Sequence, residues 1–122
     1  MNPKIFLRIG GSFLITIGIL GLLGFFQQIS NLGFFHPPYW INYFHLIFGS
    51  LVLYISLTKH KKVQTIFTLL AAVTGISIGT LGLLLGSYIA ENYNIPELKD
   101  RSDHIAHLIV GLTALWAFKN KG

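Results

Sequence analysis

Apolar residues occur in four long runs that are separated by polar segments. The runs cover about residues 5–26, 40–57, 63–90 and 103–118. A helix that crosses the hydrocarbon core of a bilayer, which is roughly 30 Å thick, needs roughly 20 largely apolar residues. We therefore predict four transmembrane helices, of which the third is the longest uncharged run and the fourth is the shortest.

The composition agrees with a membrane protein. Hydrophobic residues make up 52% of the 122 residues and charged residues only 11%, whereas soluble domains carry roughly 25% charged residues. The chain has no cysteine, which excludes disulfides and thiol catalysis. The net charge of +5 comes from bases that flank the apolar runs, so it predicts membrane topology and no nucleic-acid partner.

The first run has an alternative interpretation as a cleaved signal peptide, because Lys4 and Arg8 lie at its start. The run is longer than the apolar region of a signal peptide. The residues that follow it, "FFQQISNLG", lack a site of the small-x-small type. We therefore expect the first run to stay in the protein as a membrane span.

The basic residues predict the orientation of the spans, because short cytoplasmic segments are enriched in lysine and arginine. Seven of the nine bases lie before or at the start of the first run, in the turn at 58–62, or after the fourth run. We predict that these three regions are cytoplasmic. The loops at 27–39 and 91–103 would then face outward, and the second of them holds all four acidic residues.

The two halves of the chain resemble each other. "NYFHLIFGSLVL" aligns with "HIAHLIVGLTAL", which places His45 on His107 at an offset of 62 residues. "GILGLLG" aligns with "GTLGLLLG", which places Gly18 on Gly79 at an offset of 61. We predict an all-α membrane protein with a single transmembrane domain, residues 1–122. It would consist of two tandem helical hairpins, about 1–60 and 61–122, in an up-down-up-down bundle that forms a parallel internal repeat.

These motifs also resemble those of a known family. A "GLLG" ends the first run, "N-x-x-H-L-x-x-G" lies in the second, and "D-x-x-x-H-L-x-x-G" lies in the fourth. The pattern is similar to that of a bacterial family of small four-helix membrane proteins, domain-of-unknown-function family four-three-eight-three. The matching segments, 21–26, 42–49, 82–86 and 103–111, extend over nearly the whole chain. The resemblance implies the four-helix fold and a membrane location, but no activity. A looser likeness to DoxX-like four-helix membrane proteins rests on the number of spans.

Glycines recur at spacings of three and four residues along the predicted spans, which places them on one helix face. In lipid, small residues let helix backbones approach closely and so supply packing energy. An alternative is that the glycines leave room for a flat ligand. The glycines that we predict to pack between helices are Gly18, Gly21, Gly24, Gly49, Gly79, Gly82, Gly86 and Gly111.

Polar residues at equivalent positions of the second and fourth spans predict a polar layer near the outer face. Neutral histidine both donates and accepts hydrogen bonds, so such a layer would connect the two hairpins. The residues of this predicted layer are Asn42, His45, Asp103, His104 and His107.

Two other hypotheses use the same histidines. His45 and His107 come from two helices at one depth, as the axial ligands of a b-type haem do. Alternatively, the layer handles protons or a small molecule in a transporter or sensor, because ionisable groups inside membranes often mark such pathways. The "H-x-x-x-H" spacing of zinc enzymes is absent, so we predict no metal site.

The sequence offers no catalytic constellation. It contains no glycine-rich phosphate loop, no nucleophile elbow and no paired carboxylates. The function we predict is that of a non-enzymatic structural or accessory component of the bacterial plasma (inner) membrane, with no cofactor. Its partners would be the lipid bilayer and either further copies of itself or another membrane protein.

Overall fold

A computed structural model describes residues 1–29 and 38–120, and every regular element in these ranges is helical. The predicted outer loop at 27–39 therefore lies mostly outside the described residues. The described ranges contain five α-helices and one short 3₁₀ helix, Pro96–Lys99. The α-helices are α1 (Pro3–Leu22), α2 (Phe25–Ile29), α3 (Tyr39–Leu57), α4 (Lys61–Tyr93) and α5 (Arg101–Lys119).

The start and the end of α1 follow from local chemistry. The Asn2 side chain accepts a hydrogen bond from the Ile5 N–H at 3.0 Å, and Pro3 occupies the first turn, where its missing N–H costs nothing. The helix ends before Gly24, whose φ of +77° favours glycine. The first predicted span, 5–26, is thus divided between α1 and α2.

A short turn joins α3 to α4, and Gln64 fastens it. The Gln64 Nε2 donates to the carbonyl oxygens of Ile55 at 3.2 Å, Ser56 at 3.3 Å and Thr58 at 2.9 Å. These carbonyls lie at the end of α3, where helix carbonyls lack partners in their own helix. Gln64 is buried, so it ties the start of α4 to the end of α3 in a shielded position.

Three helices, α1, α3 and α4, are long and apolar enough to cross a membrane. With 33 residues, α4 is the longest. At about 1.5 Å per residue it is about 50 Å long, which exceeds the hydrocarbon thickness, so as a span it would tilt or extend beyond the lipid. The fourth predicted span coincides with α5, which has 19 residues but does not reach the same apolar content, since its first turns carry Arg101, Asp103 and His104.

The helices pack in two antiparallel pairs, α1 with α3 and α4 with α5. We call the end of the molecule with the α3–α4 turn the turn end, and the opposite end the loop end. A cluster of buried apolar side chains near the turn end joins the four long helices, α1, α3, α4 and α5. Its members are Phe6, Leu7, Val52, Ile55, Ala72, Ala114 and Ala117.

The two pairs bury many of the same positions. Four buried residues of α1 have buried counterparts 61 residues later in α4, and four of α3 have buried counterparts 62 residues later in α5. The pairs are Pro3/Gln64, Leu7/Thr68, Gly11/Ala72, Gly18/Gly79, Asn42/His104, Gly49/Gly111, Val52/Ala114 and Ile55/Ala117.

Large apolar side chains cover the outward faces of the helices. Ile9 is 60% exposed, Ile47 70% and Leu84 74%. In water such a surface would drive association, whereas in lipid apolar side chains are well solvated. The surface therefore agrees with the three helices that are apolar enough to span.

Candidate functional site

Most of the glycines lie where two helices of one pair touch. A Cβ at Gly18 would lie 2.8 Å from the Asn42 carbonyl oxygen and 2.9 Å from the Leu46 nitrogen. A Cβ at Gly79 would lie 2.8 Å from the His104 carbonyl oxygen and 2.7 Å from the Leu108 nitrogen. Since these neighbours are backbone atoms, neither position has room for a larger residue.

The other predicted packing glycines have similar surroundings, with one exception. Gly21 lies under the Asn42 side chain, Gly82 and Gly86 lie against His104, and Gly49 and Gly111 contact α1 and α4. Gly24 does not pack between helices: it ends α1, and the nearest atom to an added Cβ is the Gln27 Oε1 at 3.7 Å. Its positive φ, and not a helix contact, requires glycine there.

One close-contact glycine, Gly11, is missing from the predicted set, whereas the glycine spacing of the third span does predict Gly75. A Cβ at Gly11 would lie 2.7 Å from the Leu53 nitrogen, and one at Gly75 would lie 2.8 Å from the His107 carbonyl oxygen. The signal that identifies Gly11 is the small residue Ala72 at the offset of 61. Gly75 lies four residues before Gly79, on the same helix face.

The predicted polar layer is divided between two environments. Asn42 is 1% exposed and His104 is 2% exposed, and each lies inside its own helix pair against glycine. His45, Asp103 and His107 instead line a cleft between α3 and α5 at the loop end. The layer therefore does not form one continuous network within the described residues.

Inside the pairs, His104 and Asn42 differ in their hydrogen bonds. The His104 Nε2 donates to the Leu98 carbonyl oxygen at 2.9 Å and so joins α5 to the 3₁₀ helix. Among the described residues, nothing pairs with the His104 Nδ1 or with either polar atom of the Asn42 amide. An unpaired buried polar group costs stability, so these atoms are a weak point of both packing sites.

The cleft has a volume of about 250 Å³. One wall is α3, with Trp40, Ile41 and Phe44, and the polar side consists of His45 from α3 with Asp103 and His107 from α5. Two helices of different pairs thus bring ionisable side chains together that are about 60 residues apart in sequence.

The orientation of His107 is fixed by Asp103, which lies one turn earlier on α5. The His107 Nδ1 is 2.8 Å from the Asp103 carbonyl oxygen and 3.2 Å from the Asp103 Oδ1. Because both Asp103 atoms accept, Nδ1 carries a proton and donates it. In the neutral ring, Nε2 is then a hydrogen-bond acceptor that remains available to the cleft.

His45 is held less firmly. It is half-buried, and its ring centroid lies 6.2 Å from that of Phe44. No described residue forms a hydrogen bond with it.

The haem hypothesis requires two histidines in one space, and His45 and His107 do line one cleft. Pockets that enclose drug-sized ligands have volumes of roughly 300–1,000 Å³, so this cleft of about 250 Å³ favours a smaller ligand than haem. Among the described residues, no group of three histidine or acidic side chains is placed to hold a metal ion.

Comparisons with protein-family models, with curated proteins and with solved structures give no match to this chain. The resemblance to family four-three-eight-three and the likeness to DoxX-like proteins therefore remain predictions from the sequence.

Proposed function

We propose that the chain is a four-span integral membrane protein that acts as a non-enzymatic structural or accessory component of the plasma membrane. In this proposal α1, α3, α4 and α5 cross the bilayer as two tandem hairpins. The turn end is cytoplasmic and the loop end faces outward. The partners are the bilayer and either further copies of the chain or another membrane protein.

The observation that carries the proposal is the matching burial of eight positions in the two helix pairs. Glycines at matching positions meet backbone atoms of the partner helix in both pairs, for example Gly18 in the first and Gly79 in the second. The buried side chains Asn42 and His104 also lie in matching helix contacts. The glycines let the two helices of each pair approach closely, which is the work of a structural bundle.

The span assignment of α5 rests on its packing. It runs antiparallel to α4, and Gly75 touches Gly111 while Gly79 touches Leu108. Since α4 is apolar enough to span, the helix that packs along it shares its depth in the bilayer. The charged first turn of α5 would lie at the loop end, in the interface region.

Site-directed labelling tests the topology, because the chain has no cysteine. Single cysteines would replace His60 in the α3–α4 turn, Asn92 near the end of α4, and Asn120 after α5. We expect a membrane-impermeant maleimide to label Asn92→Cys in intact spheroplasts, and the other two only in inverted vesicles. Labelling of Asn120→Cys from the same side as Asn92→Cys would show that α5 does not cross.

A second candidate function is the handling of a small molecule or protons, and the cleft favours it. His45, Asp103 and His107 line one opening at the loop end. A double variant, His45→Gln with His107→Gln, separates the candidates. An accessory bundle would keep its fold, its membrane insertion and its effect in cells, whereas a ligand or proton site would keep its fold and lose its effect.

Optical spectroscopy tests the haem hypothesis directly. The protein would be produced with haem supplied, purified in mild detergent, and measured before and after reduction with dithionite. We expect no Soret band, because the cleft is small. A band that shifts on reduction and disappears in the double histidine variant would establish a b-type haem protein instead.

A further inference from the structure

The cleft at the loop end presents hydrogen-bond acceptors to whatever enters it. The Nδ1 of His107 donates to Asp103, so the Nε2 of the neutral ring is an acceptor. The Asp103 carboxylate accepts only, and its side chain is 27% exposed, so its negative charge is partly shielded from water. The polar side of the cleft therefore matches a hydrogen-bond donor that carries positive charge.

The apolar wall of the cleft also favours a positively charged group. Trp40 and Phe44 line it, and the Phe44 ring is stacked on Phe48 with centroids 5.4 Å apart. The faces of aromatic rings are electron-rich and attract cations, tryptophan most strongly. The side chains of one wall and the acceptors of the other thus favour one kind of group, an organic cation.

The surrounding charge also favours a cation. All four acidic residues of the chain lie in the segment 91–103, which contains only two bases. One of these bases, Lys99, pairs with Glu91 at 3.4 Å. No lysine or arginine is among the described residues that line the cleft, so no side chain there neutralises Asp103 permanently.

We propose that the cleft between α3 and α5 binds the ammonium group of an amine, with Asp103 as its counter-ion. The His107 Nε2 accepts a hydrogen bond from the ammonium, and Trp40 and Phe44 cover its alkyl part. The volume of about 250 Å³ suits a small alkylammonium group. This group belongs either to a free amine or to the headgroup of an amine-bearing lipid.

The inference rests on the second candidate function, the handling of a small molecule. The labelling experiment above does not depend on it. Loss of amine binding would remove this inference and leave the four-span accessory bundle in place.

Tryptophan fluorescence can measure binding, because the chain has two tryptophans and only Trp40 lines the cleft. The full chain with Trp116→Phe would be placed in nanodiscs of phosphatidylglycerol and titrated with propylammonium chloride. Propanol, which is neutral and similar in size, and sodium chloride at equal ionic strength are the controls. We expect a saturable change in Trp40 emission with propylammonium alone.

Two variants and one matched control assign the binding to this cleft. Asp103→Asn removes the charge with little change of shape, and we expect it to weaken binding about tenfold or more. Phe44→Leu alters the other wall, on a different helix, and should weaken binding about threefold or more. Glu91→Gln removes a nearby charge outside the cleft and should bind like the parent.

Phosphatidylethanolamine in the nanodiscs identifies the source of the amine. If the lipid headgroup is the natural occupant, this lipid shifts Trp40 emission and competes with propylammonium. If the occupant is a free amine, the lipid changes neither. The proposal is overturned if neither amine gives a saturable change, if propanol binds equally well, if Asp103→Asn and Phe44→Leu bind like the parent, or if Glu91→Gln weakens binding as much as Asp103→Asn.

Discussion

The first helix pair begins with a helix that ends at Leu22, after which the chain turns at Gly24 and enters the short α2. In the second pair, α4 continues without a break to Tyr93. The position that matches Gly24 at the offset of 61 is Leu85, which lies inside α4. The two pairs therefore differ at the loop end.

Just inside the loop end, the same two pairs agree closely. Gly18 and Gly79 meet the backbone of the partner helix in the same way, and Asn42 and His104 cover the next glycine in each pair. The comparison shows which positions the packing depends on. Close helix approach tolerates only small residues at the contact, whereas the helix ends beyond the contact are free to differ.

The largest expected effect tests this agreement. Gly18→Ala and Gly79→Ala each place a Cβ within 3.0 Å of backbone atoms, so each should lower the free energy of unfolding by about 1–3 kcal/mol. Equilibrium unfolding in mixed detergent micelles measures the loss. Gly10→Ala is the control, because a Cβ there meets nothing within 4 Å. A substitution tolerated in one pair alone would show that the two packings are not equivalent.

The next largest effect is expected at Gly24, where the two helix pairs differ. Gly24→Ala forces a Cβ into the left-handed region at φ +77°, which should cost about 1–2 kcal/mol. No neighbouring atom is closer than 3.7 Å to that Cβ, so backbone strain alone causes the loss. Leu85→Ala at the matching position lies inside a helix and serves as the control. If Gly24→Ala is no more harmful than Leu85→Ala, then the turn after α1 does not require glycine.

Much of this packing could be predicted from the sequence, because a helix contact leaves small residues at fixed spacing. The different role of Gly24 could not be predicted, since residue type alone does not distinguish a packing glycine from a turn glycine.

The division of the polar layer between two environments could not be predicted either. Asn42 and His45 are three residues apart, as are His104 and His107. Such residues lie only about 60° apart around a helix, so periodicity places them on one face. The edge of the helix contact falls between them, and that edge depends on how the helices cross.

Replacing the polar side chains inside the two pairs should change the free energy of unfolding in opposite directions. His104→Leu leaves the Leu98 carbonyl oxygen without its 2.9 Å partner and should cost about 1 kcal/mol. Asn42→Leu removes a buried amide that no described residue pairs with, and should stabilise the protein by about 1 kcal/mol. The same unfolding measurement compares them. A loss of stability in Asn42→Leu would mean that the Asn42 amide contributes through a bond of its own.

The smallest expected effect concerns an ion pair at the loop end of α4 and α5. The Lys99 Nζ lies 3.4 Å from the Glu91 Oε1, and the two side chains are 54% and 67% exposed. Water and salt screen such a pair, and ordering two long side chains opposes it, so Glu91→Gln should change the free energy of unfolding by less than about 0.5 kcal/mol. The His104 bond to Leu98 holds the same segment from a buried position and should therefore matter more. A loss above 1 kcal/mol in Glu91→Gln, removed by salt, would reverse that order and make surface charge the contact that holds the segment between α4 and α5.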